Sequence, residues 1–185
     1  EDVRGDVRII ADSSGDMAFM LRMMSAIHPI RPDFVFLTGW EAALVPMLLM
    51  GCQGGTNATS GVVPEITRKL YDLVQERRID EARTLQFRLL ELFDAMLFSA
   101  DFPEGFRAAV ELRGFDLGRG RQPLSESQQI DRAALQRVLQ CILHDFGFVE
   151  PPADGCAPPT GNMGVDRVTE ITEEVMAQLR KQGVV

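Results

Sequence analysis

The sequence predicts an α/β fold with parallel strands, and three observations support this class. Candidate strands at residues 7–10 and 34–37, and a glycine-opened one at 54–59, alternate with longer segments that have helical spacing. The run FVFL at 34–37 is continuously apolar, as in a parallel strand buried on both faces. After residue 79 the pattern is helical. Strands that alternate with helices predict a parallel sheet with right-handed crossovers.

Each predicted helix is supported by its apolar spacing or by residues suited to its ends. In the first helix Met17, Leu21 and Met24 form an apolar stripe, and Asp16 is placed to cap its start. Asp80 is predicted to cap a long helix in the same way. The predicted helices cover residues 16–27, 40–51, 63–78, 81–99, 103–114, 131–147 and about 166–181.

Composition and charge argue against nucleic acids and membranes as partners. The chain has 185 residues and a formal net charge of -8, which repels phosphate backbones. Its longest apolar run, residues 42–52, is about half as long as a membrane span. The charged opening EDVRGDVR predicts that no signal peptide is present.

The residues that could hold a metal or attack a substrate are few. His28 and His144 lie far apart in the sequence, so we expect no metal site and no cofactor. The three cysteines at positions 52, 141 and 156 predict no disulfide framework, which favours a reducing, cytoplasmic location. Lysine occurs only at Lys69 and Lys181. Chemistry that needs a lysine therefore has two candidates.

The chain is predicted to be part of a larger fold. Residues 1–79 hold three β/α units, residues 80–148 form a helical region, and residues 149–185 form a Pro/Gly-rich linker and a terminal helix. Three parallel strands alone leave both edges of a sheet open. A complete (β/α)8 barrel takes about 250 residues. We therefore expect the final units of such a barrel followed by helices.

Five stretches occur in an order that resembles one known family. They are IIADSSGD, FVFLTGWEA, GCQGGTNATSGVVPE, RRIDEARTLQFRLLELF and GRGRQPLSE. Together they resemble the C-terminal half of the dihydrodipicolinate synthase and N-acetylneuraminate lyase family, over about residues 5–148. The resemblance implies the C-terminal part of a (β/α)8 barrel. Its sixth, seventh and eighth strands would be residues 7–11, 34–38 and 54–58, followed by C-terminal helices.

The resemblance implies class I aldolase chemistry on pyruvate or another 2-keto acid. A lysine at the end of the sixth strand attacks the keto carbon, and the resulting iminium acts as an electron sink. In this sequence that position is Ala11, which has no nucleophile. Three explanations remain open: an engineered Lys→Ala change, a natural homologue that lost or relocated its lysine, and a modified or misassigned lysine or wrong local alignment.

The resemblance also implies substrate contacts at the end of the seventh strand. Gly39 falls where the family keeps a glycine that lets substrate approach the backbone. Glu41 falls where members similar to sialic acid lyase hold a carboxylate that binds sugar hydroxyls. Trp40 between them would form a pocket wall. The alternative is that Trp40 and Glu41 are only the first turn of a helix, where acids are favoured.

Further candidates lie at the other two strand ends. Thr56 falls where a backbone carbonyl faces the bound keto acid in the family. Asn57 would contact substrate, or it serves the turn. Ser13 and Ser14 are candidates to bind a hydroxylated substrate, with helix capping as the alternative.

The function expected from the resemblance is a keto-acid lyase or aldolase acting on pyruvate or a 2-keto-3-deoxy sugar acid. As written, the chain is expected to be inactive, because Ala11 replaces the lysine. The alternatives are a non-catalytic relative that serves as a binding or assembly subunit, and an unrelated α/β domain. The expected partners are a small 2-keto acid, a missing N-terminal barrel half or a complementary chain, and copies of the chain in a homo-oligomer. The resemblance implies a tetramer.

Overall fold

The computed structural model describes residues 7–98, 100–118, 120 and 130–156. The strands are β1 (Ile9–Asp12), β2 (Val35–Thr38) and β3 (Gly54–Gly55). Short 3-10 turns, Glu41–Ala43 and Ala58–Gly61, follow β2 and β3. The helices are α1 (Met17–Ile27), α2 (Leu44–Leu49), α3 (Pro64–Gln75), α4 (Ile79–Leu97), α5 (Glu104–Leu112) and α6 (Arg132–Asp145).

The three strands form a parallel sheet in the order β1-β2-β3. Asp12 pairs with Thr38, and Thr38 pairs with Gly55, so the three strands end at one level. The helices between them make the crossovers that parallel strands require. The predicted parallel α/β order is therefore confirmed, and the three strand ends meet along one edge of the sheet.

The two faces of the sheet differ sharply in burial, because side chains alternate along a strand. On the covered face Phe36 is 0% exposed and packs with Met20, Met24 and Met47 from the flanking helices. The opposite face carries Ile9 and Ala11 on β1 and Val35 and Leu37 on β2, and we call it the open face. Ile9 is 56% exposed there.

The third predicted strand, residues 54–59, is wrong in its length. Only Gly54 and Gly55 pair with β2, and Ala58–Gly61 turns into a 3-10 helix. Two glycines supply no side chains to pack on a pleated sheet. The chain after them instead bends toward Glu41, whose carboxylate accepts hydrogen bonds from Thr59.

One of the two predicted helix caps is confirmed. The Asp16 carboxylate accepts a hydrogen bond from the Phe19 N–H at 2.9 Å at the start of α1. The prediction for Asp80 is wrong, because α4 begins at Ile79 and Arg78 precedes it without a side-chain cap. Asp80 instead lies in the first turn, where the helix dipole favours a carboxylate.

Helix α4 is the centre of the apolar core. Its Leu85, Leu89 and Leu92 are each 0% exposed, and the core around them draws residues from α2 through α6. This core therefore continues across residue 79, where the sequence suggested a boundary. The described residues up to Gly155 belong to one compact unit, and a second unit begins at Cys156. The predicted terminal helix at about 166–181 lies outside the described residues.

The cysteines differ from the sequence prediction. Cys52 is a buried free cysteine, whereas Cys141 and Cys156 are disulfide-bonded. The sequence predicted no disulfide framework, and these two bonded cysteines were not expected. The cysteine count therefore does not support a reducing compartment. Within the ranges given above, no helix is long and apolar enough to cross a membrane.

A buried ion-pair cluster joins α4 to α6. The Arg88 guanidinium lies 2.5 Å from a Glu91 oxygen and 2.6 Å from an Asp145 oxygen. The Arg88 side chain is only 7% exposed, so both pairs are largely shielded from water. The carboxylate side chains of Glu91 and Asp145 are 20% and 23% exposed, so the arginine is the most deeply buried member of the cluster.

We predict that Arg88→Met lowers the free energy of unfolding by about 1–3 kcal/mol, because it removes charge-assisted hydrogen bonds made by a largely buried guanidinium. Urea unfolding followed by circular dichroism measures the change. Arg83→Met is the matched control, since Arg83 pairs with Asp80 through side chains that are 64% and 89% exposed. Equal losses in the two variants would show that the cluster carries no special stability.

Candidate functional site

The turn after β1 is held by its own side chains. The Asp12 carboxylate accepts hydrogen bonds from the Ser14 N–H and the Ser14 hydroxyl, both at 3.0 Å. The Ser14 oxygen in turn accepts from the Asp16 N–H at 3.1 Å. Ser14 is therefore part of the capping structure of α1, as the alternative prediction for this residue proposed.

Ser13 and Gly39 join the end of β1 to the end of β2. The Gly39 N–H donates to the Asp12 carbonyl oxygen at 2.7 Å, which brings the two chain segments close together. A Cβ atom at Gly39 would lie 1.9 Å from the Ser13 hydroxyl oxygen. A side chain at position 39 would therefore require Ser13 to move. The resemblance implies that a substrate approaches the backbone at Gly39, and that contact stays a prediction.

Trp40 packs between the turn after β1 and helix α4. Its ring lies 3.5 Å from where a Cβ of Gly15 would be, and it meets the Phe93 ring edge-on at 5.2 Å between centroids. Trp40 is partly buried against the apolar core around α4 and against the apolar cluster around Phe36. Its ring therefore links the strand ends to the helical core.

The end of β2 also holds the end of β3. The Thr38 carbonyl oxygen accepts from the Thr56 N–H at 2.9 Å and from the Asn57 side-chain amide at 3.3 Å. A Cβ at Gly55 would lie 2.0 Å from the Asn57 side-chain oxygen. Asn57 therefore serves the turn in this structure, which was the alternative prediction for it.

Glu41 is buried rather than directed into solvent. It is 2% exposed, and one carboxylate oxygen accepts from the Thr59 N–H at 2.8 Å and from the Thr59 hydroxyl at 2.9 Å. Thr59 itself is 0% exposed. The Glu41 carboxylate therefore connects the turn after β2 to the turn after β3 through two hydrogen bonds.

Gln86 on α4 completes the connection, and sequence reasoning missed it. Its amide nitrogen donates to the Glu41 carbonyl oxygen at 2.9 Å, and its amide oxygen accepts from the Val45 N–H at 3.0 Å. Gln86 is 7% exposed. A glutamine on the apolar face of a helix was the signal available in the sequence, since buried amides need partners.

Ala11 lies on the open face, at the same level as Leu37 and Gly54. It is exposed, and its neighbours on that face are apolar. No nearby group replaces a lysine within the described ranges. Lys69 on α3 donates to the Phe146 carbonyl oxygen at 3.4 Å, and Lys181 is outside those ranges.

Burial raises the pKa of the Cys52 thiol, and the Asp12 charge adds to the rise.

The space beneath the turn after β1 is too small for a keto acid. The cavity bounded by Asp12, Thr38 and Trp40 measures about 10 Å³, which is the room of about one water molecule. No cluster of three or more metal-binding side chains was found in the described part of the chain.

The geometry is that of the last three β/α units of a (β/α)8 barrel, with the strand ends at the face where such barrels bind ligands. The model of the dihydrodipicolinate synthetase family matches residues 6–142. The chain therefore belongs to the dihydrodipicolinate synthetase family. The fold class that the sequence predicted, the C-terminal part of such a barrel followed by helices, is confirmed.

Curated relatives match the same region. The chain is 35% identical over 130 residues to an uncharacterized DapA-like lyase of Halobacterium salinarum, covering 70% of this chain and 41% of that protein. It is 31% identical over 131 residues to 4-hydroxy-tetrahydrodipicolinate synthase of Methanopyrus kandleri, covering 71% and 42%. The chain thus spans less than half the length of these relatives.

Solved structures share the fold. A putative dihydrodipicolinate synthase of Thermus thermophilus superposes with a TM-score of 0.64 at 26% identity, covering 77% of this chain and 48% of that one. A prophage protein of the dihydrodipicolinic acid synthase family from E. coli K12, in complex with pyruvate, gives a TM-score of 0.63 at 23% identity, covering 76% and 48%. An N-acetylneuraminate lyase of Fusobacterium nucleatum, complexed with pyruvate, gives 0.58 at 20% identity, covering 74% and 44%.

We predict that Gly39→Ala lowers the free energy of unfolding by about 1–3 kcal/mol, because the new methyl group overlaps the Ser13 hydroxyl. In the Ser13→Gly background the same substitution should cost much less, since the overlapping atoms are gone. Thermal unfolding of the two single variants and the double variant gives the coupling between the positions. Additive losses would contradict the contact.

Proposed function

We propose that the ends of β1, β2 and β3 form one side of a site for pyruvate or a related 2-keto acid. The observation that supports this is the position of Ala11 at the end of β1, on an apolar open face at the ligand-binding end of a partial barrel. Relatives of the same family include proteins solved with pyruvate. The reaction class is that of a class I lyase or aldolase.

Chemistry at this site requires an amine, and no lysine among the described residues lies there. A class I mechanism needs a lysine nitrogen to attack the keto carbon and form an imine. Ala11 cannot do so, and Lys69 is engaged with Phe146 on another part of the molecule. The chain as written is therefore proposed to bind a keto acid without converting it. The same observation favours the second candidate function, a non-catalytic binding or assembly subunit.

The remaining site residues divide into two groups. The Thr56 carbonyl and the Gly39 backbone stay proposed contacts for the keto acid. Ser13, Trp40 and Asn57 each have a protein contact that shapes the site, and their contacts with substrate are proposed only through the resemblance.

A complete site needs further strands beside those described. Along the described residues β1 and β3 each pair with β2 alone. Ile9 on β1 is 56% exposed, and Val7, which precedes the strand, is 52% exposed. We propose that an N-terminal barrel half, in the same polypeptide or in a complementary chain, covers the open face. A homo-oligomer, tetrameric as the resemblance implies, and a cytoplasmic location also remain proposals.

We predict that Ala11→Lys gains the ability to form an imine with pyruvate, because the open face has room for the side chain and apolar neighbours lower the pKa of an amine. Borohydride reduction followed by intact-mass measurement should show one reduced pyruvate adduct on the variant. Ala11→Met is the control, since it adds a side chain of similar length without the amine.

The unmodified chain should show no adduct in the same experiment. An adduct on it would contradict the claim that it lacks a nucleophile. An Ala11→Lys protein that folds and still shows no adduct would contradict the assignment of position 11 to the imine-forming site.

A further inference from the structure

We propose that Glu41 is a positioning residue of the keto-acid site, acting through Thr59 to hold the turn after β3. This assignment rests on the proposed function, because it concerns the same three strand ends. It departs from the role that the resemblance implies for a carboxylate at this position.

All the main polar groups of Thr59 are engaged. Its N–H and its hydroxyl both donate to the Glu41 carboxylate, at 2.8 Å and 2.9 Å. Its carbonyl oxygen accepts from the N–H groups of Val62 and Val63, at 3.0 Å and 2.9 Å, as the chain enters α3. Thr59 is 0% exposed, so none of these bonds competes with water. Thr59 is thus anchored on one side to the turn after β2 and on the other to α3.

Glu41 is in turn held by the helical core. Gln86 donates to the Glu41 carbonyl oxygen at 2.9 Å and accepts from the Val45 N–H at 3.0 Å. These two bonds fix the backbone on both sides of the 3-10 turn Glu41–Ala43. The carboxylate is therefore presented to Thr59 from a backbone that α4 keeps in place.

The Glu41–Thr59 bonds also affect Thr56 and Asn57, which are predicted to contact the ligand. Thr56 and Asn57 lie between β3 and the turn that contains Thr59. The Thr56 N–H and the Asn57 side-chain amide both donate to the Thr38 carbonyl oxygen. Two residues after Asn57, the chain is anchored where Thr59 bonds to Glu41. The direction of the Thr56 carbonyl thus depends on two anchors, of which Glu41 supplies one.

A ligand role for the bonded oxygen of Glu41 conflicts with these contacts. One carboxylate oxygen accepts both Thr59 donors, so a substrate hydroxyl that took this oxygen would have to displace them. That exchange would leave a buried N–H and a buried hydroxyl without acceptors, which is costly. The carboxylate is therefore first of all a support for Thr59.

The test compares Glu41→Met, Glu41→Gln, Thr59→Val and the Met/Val double variant. Hydrogen–deuterium exchange is measured over residues 54–61, and the affinities for pyruvate and for a 2-keto-3-deoxy sugar acid are measured by the emission of Trp40, the chain's one tryptophan. Thr67→Val is the matched control, because the buried Thr67 hydroxyl bonds only within the start of α3.

We expect Glu41→Met and Thr59→Val each to speed exchange over residues 54–61 by about tenfold, since each removes a buried charge-assisted bond. The double variant should add little beyond either single change. Affinity for both keto acids should fall by the same factor. Glu41→Gln, which keeps an oxygen acceptor for Thr59, should remain close to the unmodified protein, and Thr67→Val should leave residues 54–61 unchanged.

The proposal is overturned if Thr59→Val leaves the exchange unchanged. It is also overturned if Glu41→Gln weakens only the sugar acid while Thr59→Val weakens neither ligand, because that pattern identifies a hydroxyl ligand. Should Glu41→Met fail to fold, Thr59→Val and its Thr59→Ser rescue decide the question. An unmodified protein that binds neither keto acid refutes the proposed function, and the exchange results still decide whether Glu41 holds the turn.

Discussion

A carboxylate that is 2% exposed must find hydrogen-bond donors inside the protein, and Glu41 finds both on Thr59. This requirement ties the turn after β2 to the turn after β3. Gln86 extends the connection to α4, where the largest part of the apolar core lies. The strand ends are therefore supported by the helical region.

The end of β2 is the centre of this arrangement. The Thr38 carbonyl oxygen accepts a hydrogen bond from the Thr56 N–H after β3, and the Gly39 N–H donates to the Asp12 carbonyl oxygen on β1. Trp40 then packs onto Phe93 of α4. Close approaches of this kind need residues without side chains, which explains Gly39 and Gly55. The polar side chains at the strand ends bond mainly to one another, and the position of Ala11 is left facing the open side.

Much of the fold was predictable from local pattern. The helices and the parallel order follow from apolar spacing and from the alternation of strands and helices, and the Asp16 cap follows from its place before an apolar stripe. The predictions failed where a distant contact overrode local preference. Residues 56–59 leave the sheet because Thr59 bonds to Glu41, and α4 begins one residue before Asp80.

The sequence by itself determined the fold class, the family and the absence of a lysine at position 11, because each depends on residue type and order along the chain. Only the tertiary structure shows which groups of the protein Ser13, Glu41 and Asn57 contact. Each of them bonds or packs against a segment that is distant in the sequence, and residue type alone does not distinguish a ligand for substrate from a ligand for the protein's own backbone. Burial and the direction of the donors make that distinction.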